Sequence, residues 1–593
     1  VAKISTADAS RVFASPVAIF DFKRINPDKM SISLDDLTQT EALLFKHMNR
    51  LSQTDKDMLK KNGMDVTLLK IFQALNSANK SIQDFTLYRF QFDAIQEFLA
   101  RILVNDKTPF IIGAPTDSGK SLVFYVCSVL KMAIEKLNGT STLITLPTRA
   151  LNTTQFQEMS KFFYHLNKQG IKITLGLFMG SGSERESNRT ITRPDTIQDG
   201  DEIVDIEICP KCGSDEIVAH KPNTERVIPM CKSCNEKLDF VYLSTIEVQR
   251  FCPNVVIGTP DFIAGSLSTF SGSHSIFGAP CKLCPQCGKY TLLNRTDQNN
   301  TTHTCEIERY GKAAGGCGAT LDDTTRTQSN PSFVVFDEIH TMSGTQGNLF
   351  GQFLSLLSVV KERYGLDKDI SYLGATATIA NEEDLVKNLT GNQTGPFVFP
   401  SSADYDSYFI QSNDDVRHRF VAVEPQFYRT RYSAETMGIF GFDGIKQVIG
   451  QRADLEEAYK MQTIYVKRKN DGSAIENAMS NRAWRMVNDS PWVKFAHGDF
   501  SRSDIAKIVK AVKANEYDVL LVTSIFGQGV DFPNLNILHF FGVPNSFIEL
   551  SQVFGRTGRG KYPSIVFLHI QNNIPRDQFV YYNTPKILGK LDE

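Results

Sequence analysis

The chain has 593 residues, 41% of them hydrophobic and 22% charged, with a formal net charge of −2. That length predicts roughly four domain-sized units. The balance excludes a disordered or strongly basic protein, so any nucleic-acid surface must be a local channel. No apolar run approaches the ~18–20 residues that span a bilayer, and no signal peptide is visible at the start, which predicts a cytoplasmic protein.

Residues 1–84 read as an N-terminal helical accessory region. Thr38-Gln39-Thr40-Glu41 has the form of a capping box, and Leu44, Met48 and Leu51 recur at i, i+4, i+7. Gln91-Phe92-Asp93-Ala94-Ile95 follows. The apolar run Phe110-Ile111-Ile112 then leads into Ala114-Pro115-Thr116-Asp117-Ser118-Gly119-Lys120-Ser121 and on to Leu122-Val123-Phe124. A strand, a loop ending Gly-Lys-Ser and a helix form the layout of a P-loop. Its amides nest phosphates, Lys120 reaches the β- and γ-phosphates, and Ser121 is placed to ligate Mg²⁺. Ala114 breaks the strict pattern at its first position.

Further on, Pro147-Thr148-Arg149-Ala150-Leu151 precedes a concentration of cysteines: ten of the 11 lie between 209 and 317. Cys209-x-x-Cys212 and Cys231-x-x-Cys234, with 18 residues between the pairs, have the spacing of a four-cysteine zinc ribbon. Disulfides would require an oxidising compartment that nothing else in the chain suggests. A second zinc set is expected from Cys284, Cys287, Cys305 and Cys317, with Cys281 either a substitute ligand or free. Cys127 and Cys252 read as small buried residues. Between the clusters lies Val255-Val256-Ile257 followed by Gly258-Thr259-Pro260-Asp261.

Phe333-Val334-Val335-Phe336 is a buried-strand pattern ending in Asp337-Glu338-Ile339-His340. Paired carboxylates at a strand end can hold the water shell of Mg²⁺ and orient an attacking water. Gly374-Ala375-Thr376-Ala377-Thr378 comes next, and then 401–435, a linker whose Tyr405, Tyr408 and Phe409 read as packing residues. Thr463-Ile464-Tyr465-Val466 leads to Lys467-Arg468-Lys469. Val522-Thr523-Ser524 runs on to Gly529-Val530-Asp531, and Gln552-Val553-Phe554-Gly555-Arg556-Thr557-Gly558-Arg559 sets two arginines one helical turn apart, able to meet one phosphate cluster.

In this order the segments resemble the motifs of a superfamily 2 helicase of the DExH type, over roughly 85–570. The resemblance implies an α/β fold of two tandem RecA-like domains. The first spans 85–400 and carries zinc-ribbon insertions at about 182–247 and 265–330; the second spans 436–593. It implies ATP, Mg²⁺ and zinc at two sites as cofactors and a nucleic-acid partner, DNA in preference to RNA. Gln91 would read adenine. Thr116, Asp117, Ser118, Gly119, Lys120 and Ser121 would cradle the phosphates, with Gly529 and Asp531 contributing from the second domain. Asp337 would hold Mg²⁺ with Ser121. Glu338 would activate water, Gln552 would help position it, and Arg556 and Arg559 would complete the site. Arg149, Thr259, Asp261 and Thr523 would track the strand backbone, while His340, Thr376 and Thr378 couple the two activities. Asp117 departs from the usual Gly or Ser.

The run Asp337 to Gly347, with Arg576-Asp577-Gln578-Phe579-Val580-Tyr581-Tyr582, is similar to the group that holds the DrmA subunit of DISARM anti-phage defence and MrfA-like repair helicases. For the defence case it implies a protein partner. An RNA helicase and an ATP-gated nucleic-acid scaffold remain the alternatives.

Overall fold

In a computed structural model the chain is described over residues 12–14, 18–20, 24–25, 31–79, 86–115, 118–179, 197–203, 205–223, 226–267, 272–293, 303–306, 308–309, 312–313, 316–342, 344–376, 382–410, 418–425, 430–452, 455–486, 492–497, 507–508, 510–512, 514–523, 535–541, 557–558, 562–570, 574–579 and 583. It divides into two compact units, one formed by 25–409 and the other by 1–24 with 410–593. The cuts between them fall at 24/25 and 409/410. Val12–Ala14 and Ala18–Phe20 are strands that pair antiparallel with His418–Pro425, so the first residues join the second half's sheet and not the helical region.

The larger unit is built on an eight-stranded sheet. Its strands are β1 (Phe110–Gly113), β2 (Thr142–Thr145), β3 (Leu175–Phe178), β4 (Val241–Tyr242), β5 (Val255–Gly258), β6 (Phe333–Phe336), β7 (Ser371–Thr376) and β8 (Phe397–Phe399), in the order β4-β3-β5-β2-β6-β7-β1-β8. Every neighbouring pair is parallel. Parallel strands need crossover helices that cover both faces. This is why β1, β2, β3, β5, β6 and β7 are buried at every position and read as unbroken apolar or small-residue runs.

The accessory helices precede this sheet. Leu44, Met48 and Leu51 are all buried, as their spacing predicts, in the core that the helix Met64–Ala78 shares with the helix Arg149–Lys168. The capping box at Thr38 and Glu41 does not form. Thr40 is the N-cap, its side chain accepting from the Leu43 amide, because Thr38 already closes the short helix Leu34–Leu37. Tyr408 and Phe409 are buried, and Phe409 packs on Phe90 with ring centroids 5.4 Å apart.

The second unit repeats the architecture. β9 (His418–Pro425), β10 (Gln462–Tyr465), β11 (Val493–Ala496), β12 (Val519–Val522), β13 (Ile537–Phe541) and β14 (Ser564–His569) lie in the order β9-β14-β13-β10-β12-β11, all parallel. Ile464, Phe495, Leu521 and Phe541 pack with Ala434, Ile475 and Met479 from the covering helices. Among the described residues no helix is long and apolar enough to cross a membrane.

Candidate nucleotide site and two cysteine clusters

In an all-parallel sheet every strand's C-terminal end lies on one edge, and the motif residues inherit that placement. Register aligns the edge: Gly113 pairs with Thr376, Gly374 with Phe336, Phe336 with Thr145, and Thr145 with Gly258. The loops leaving β1, β2, β5 and β6 therefore bring Lys120, Arg149, Thr259 and Asp337 to the same side of the unit. Gly258 is required there, since a Cβ would sit 2.2 Å from the Phe178 carbonyl oxygen.

Lys120 is the first residue of the helix Lys120–Glu135, and Gly119 caps it in a left-handed conformation, φ +70°. The loop closes on the lysine itself: Lys120 Nζ donates to the Ala114 carbonyl at 2.8 Å and to the Pro115 carbonyl at 3.0 Å, and the side chain is buried. Gln91 holds the same loop from the helix Arg89–Leu103. Its Nε2 donates to the carbonyls of Gly119 (2.9 Å) and Ser118 (3.3 Å), and its Oε1 accepts from the Tyr88 amide at 2.9 Å. Among the described residues the buried Ser118 hydroxyl has no hydrogen-bond partner. Such an orphan at a helix N-terminus fits an anionic ligand that is bound elsewhere in the working cycle. Ser121 borders the loop; Thr116 and Asp117 lie outside the described residues.

Asp337 follows β6 and is buried. Its amide donates to the Thr145 carbonyl at 3.1 Å, and its Oδ1 accepts from the Glu338 amide at 3.1 Å. Glu338 adopts φ +51°, a strained position for a residue with a side chain. Among the described residues its buried Oε2 makes no hydrogen bond. Two groups converge on His340 Nδ1: Glu338 Oε2 at 3.5 Å and the Thr376 hydroxyl at 3.4 Å. Burial pushes the His340 pKa down, the Glu338 carboxylate opposes that, and Lys120 reinforces it. The imidazole is therefore neutral at pH 7.

The residues expected to track nucleic acid fall in both units. Arg149 starts a helix capped by Thr148, whose hydroxyl accepts from the Leu151 amide at 3.3 Å. Thr259 is buried at the end of β5, and Asp261 is exposed in the first turn of the helix Pro260–Leu267. Thr523 follows β12 in the second unit. Thr378, Gly529, Asp531, Gln552, Arg556 and Arg559 lie outside the described residues.

The cysteines assemble as two sets of four. In each set all four sulfurs lie within 4.8 Å of one another. Cys209 and Cys234 sulfurs are 3.7 Å apart, Cys212 and Cys231 3.6 Å, and the pairs Cys284–Cys317 and Cys287–Cys305 both 3.5 Å. A tetrahedron with ~2.3 Å metal–sulfur bonds has edges of ~3.8 Å, so both sets fit zinc. The residue after the second cysteine of each half is left-handed in all four cases: Gly213, Asn235, Gly288 and Gly318. That turn aims amides at the sulfurs. Burial raises the Cys231 and Cys284 thiols, but hydrogen bonds from two neighbouring amides (Cys234 and Ser233; Cys287 and Gln286) and from the other thiols of each set together more than offset it, and both end at about 7. Cys281 stands apart, buried and donating to the Ala279 carbonyl at 3.2 Å.

Sequence reasoning missed how the first ribbon is fastened. Arg226 opens the second strand of the hairpin Ile217–Asn223/Arg226–Cys231, and its Nη1 meets Glu247 Oε1 at 2.8 Å, both side chains buried. Glu247 sits in a capping box with Ser244. Ser244-Thr245-Ile246-Glu247 carries that pattern openly and could have been found. The chain is also back in the main sheet by Val241, earlier than the expected insertion end at 247.

Two family models match the chain: the DEAD/DEAH box helicase over 88–200 and the helicase conserved C-terminal domain over 455–561. The DISARM protein DrmA of Bacillus paralicheniformis is 21% identical over 91% of this chain and 52% of its own length. In fold the chain is similar to DUF1998 helicase MrfA bound to DNA, with a TM-score of 0.50 and 16% identity over 87% of this chain and 50% of that one. It is also similar to Mss116p bound to single-stranded RNA and AMP-PNP, with a TM-score of 0.56 and 15% identity over 95% and 79% of the two chains. The chain thus spans about half the length of DrmA and MrfA. Both matched helicase regions occur in order, each on its own sheet, in keeping with the resemblance to superfamily 2 helicases, and DrmA and MrfA are among the proteins that the chain is similar to.

Proposed function

We propose that this chain is the motor of an ATP-dependent DNA helicase or translocase acting inside the cell. The observation that carries the reading is the single sheet edge on which Lys120, Asp337 and Glu338 stand beside Arg149, Thr259 and Asp261. Lys120 and the amides of 118–121 hold the triphosphate, and Ser121 and Asp337 hold Mg²⁺. The metal, when bound, neutralises charge that develops on the transferred phosphoryl oxygens. Glu338, one of whose carboxylate oxygens makes no hydrogen bond among the described residues, orients the attacking water and takes its proton. His340, whose Nδ1 lies 3.5 Å from the Glu338 carboxylate and 3.4 Å from the Thr376 hydroxyl, stands between the two and couples a change at the phosphates to β7. Arg149, Thr259, Asp261 and Thr523 contact the nucleic-acid backbone, which makes binding largely independent of base sequence and sensitive to salt. Gln552, Arg556 and Arg559 keep the roles inferred from their motif.

DNA is favoured over RNA by the likeness to MrfA bound to DNA, and the likeness to DrmA supports a role in defence with a partner protein, beside the alternative of DNA repair. The likeness to RNA-bound Mss116p supports the RNA alternative. Zinc in the two cysteine sets acts as a structural staple. The test is ATP turnover without nucleic acid and with single-stranded DNA, duplex DNA or RNA, beside Glu338→Gln. Stimulation by DNA that falls at least ~10²-fold in Glu338→Gln is expected. Stimulation by RNA alone supports the RNA reading. Nucleic-acid binding without turnover supports an ATP-gated scaffold.

A further inference from the structure

On the helix Arg89–Leu103, Gln91 and Asp93 stand two residues apart, about 200° around an axis of 3.6 residues per turn. Gln91 faces the P-loop, to which its Nε2 donates. Asp93 faces the other way and is buried, only 3% exposed. Four side chains meet its carboxylate. Oδ1 accepts from Gln96 Nε2 at 3.0 Å and Oδ2 from the Tyr408 hydroxyl at 2.8 Å. Arg89 Nε lies 3.1 Å from both oxygens, and Arg50 Nε lies 3.3 Å from Oδ2. These donors fill the roughly four acceptor sites that a carboxylate offers.

The donors come from three places. Arg89 and Gln96 belong to the same helix as Asp93. Arg50 comes from the accessory region: its Nη2 donates to the Tyr408 hydroxyl oxygen at 2.6 Å, its amide donates to Gln96 Oε1 at 3.0 Å, and its guanidinium lies 5.2 Å from the Phe399 ring centroid. Tyr408 ends the short helix Tyr405–Tyr408, just before the Phe409 that packs on Phe90. The buried apolar face of Arg89–Leu103, with Phe92, Ile95, Phe98 and Leu99, fixes the body of the helix. The Asp93 cluster fixes its first turn, which carries Gln91. Little slack remains there. A Cβ on Gly119 would sit 2.5 Å from Gln91 Nε2, so glutamine and loop are in close contact, and a small shift of the turn breaks the hydrogen bonds between them.

We infer that Asp93 is a positioning residue for nucleotide binding. Joined to Arg50 and Tyr408, it holds the first helical turn so that Gln91 keeps the P-loop in place. The accessory region and the segment ending at Phe409 thereby set nucleotide affinity through Gln91. The inference deepens the ATP-dependent reading above and rests on it.

The experiment measures the dissociation constant of the full chain for ATP, the KM and kcat of ATP turnover, and the thermal unfolding midpoint. Wild type is compared with Tyr408→Phe, Asp93→Asn, Gln91→Ala and the two double variants that carry Gln91→Ala. Tyr408→Phe keeps the ring and deletes one hydrogen bond to a carboxylate. It should weaken ATP by about 10-fold, with the change in KM and not in kcat. In the Gln91→Ala background the same substitution should cost less than about twofold, because the link to the loop is already cut. Asp93→Asn should follow the same pattern with a larger effect, and if it fails to fold, Tyr408→Phe decides alone. Equal weakening in both backgrounds overturns the inference while leaving ATP binding intact. A lower unfolding midpoint with unchanged ATP affinity also overturns it and assigns the cluster to stability alone. A wild-type chain that binds no ATP overturns the proposed function and the inference with it.

Discussion

Replacing Arg226 with methionine removes a guanidinium that is 5% exposed and bonded on every side. Nη1 donates to Glu247 Oε1 at 2.8 Å and to the carbonyls of Val241 at 2.7 Å and Val227 at 3.2 Å, and Nη2 donates to the Asp239 carbonyl at 2.7 Å. The group also lies 4.0 Å from the Tyr242 ring centroid. Glu247, fully buried, would keep its bonds from the amides of Val227, Leu243 and Ser244 and from the Ser244 hydroxyl but lose its counter-charge. Breaking a buried pair by removing one partner costs ~3–5 kcal/mol. Methionine recovers part of the apolar contact but none of the charge. The cost is local, so the fitting assay is hydrogen exchange at the Val227, Leu243 and Ser244 amides that bond Glu247. Their protection should fall by roughly two to four orders of magnitude, at about 1.4 kcal/mol per tenfold. Arg226→Lys, which keeps the charge and loses the planar fork, should fall less. Protection within tenfold of wild type in Arg226→Met would refute the reasoning and leave the ribbon docked by apolar contacts alone.

Metal analysis of the purified chain should find two zinc ions per chain, with Cys284→Ser retaining one and Cys281→Ser retaining both; loss of a zinc from Cys281→Ser would place that residue in the ligand set. In the second unit His539 Nδ1 and His569 Nε2 are 3.1 Å apart, both buried, and burial takes the His539 pKa down to about 3. The unfolded chain, with His near 6.5, takes the proton first. The stabilisation is therefore complete above pH ~6.5 and drains away as pH falls toward 3. Urea unfolding of the second unit should show His539→Phe losing less stability than wild type between pH 6 and 4, and equal slopes would assign the loss to other groups.

The fold class and the resemblance to helicases were legible because their signals are local. A P-loop, a strand ending in Asp337-Glu338 and Cys-x-x-Cys pairs each occupy a few consecutive residues, and their chemistry requires that spacing. Boundaries were less legible. The pairing of Val12–Ala14 and Ala18–Phe20 with β9 joins residues some 400 positions apart, and nothing in those three-residue strands names the partner. The Thr38 cap failed for a related reason: two overlapping cap signals competed, and the preceding helix decided between them.

By itself the sequence determined two parallel sheets, the order of the motif loops and three Cys-x-x-Cys pairs in metal-ligand spacing, because periodicity and ligand spacing are set by neighbours along the chain. Only the tertiary structure decided that Cys281 stands outside its cluster, that Gln91 spends its donor on the P-loop and that Arg226 locks a ribbon to Glu247. Each of these depends on a distance between groups remote in sequence, and such distances are fixed by sheet register and helix packing, which no local pattern encodes.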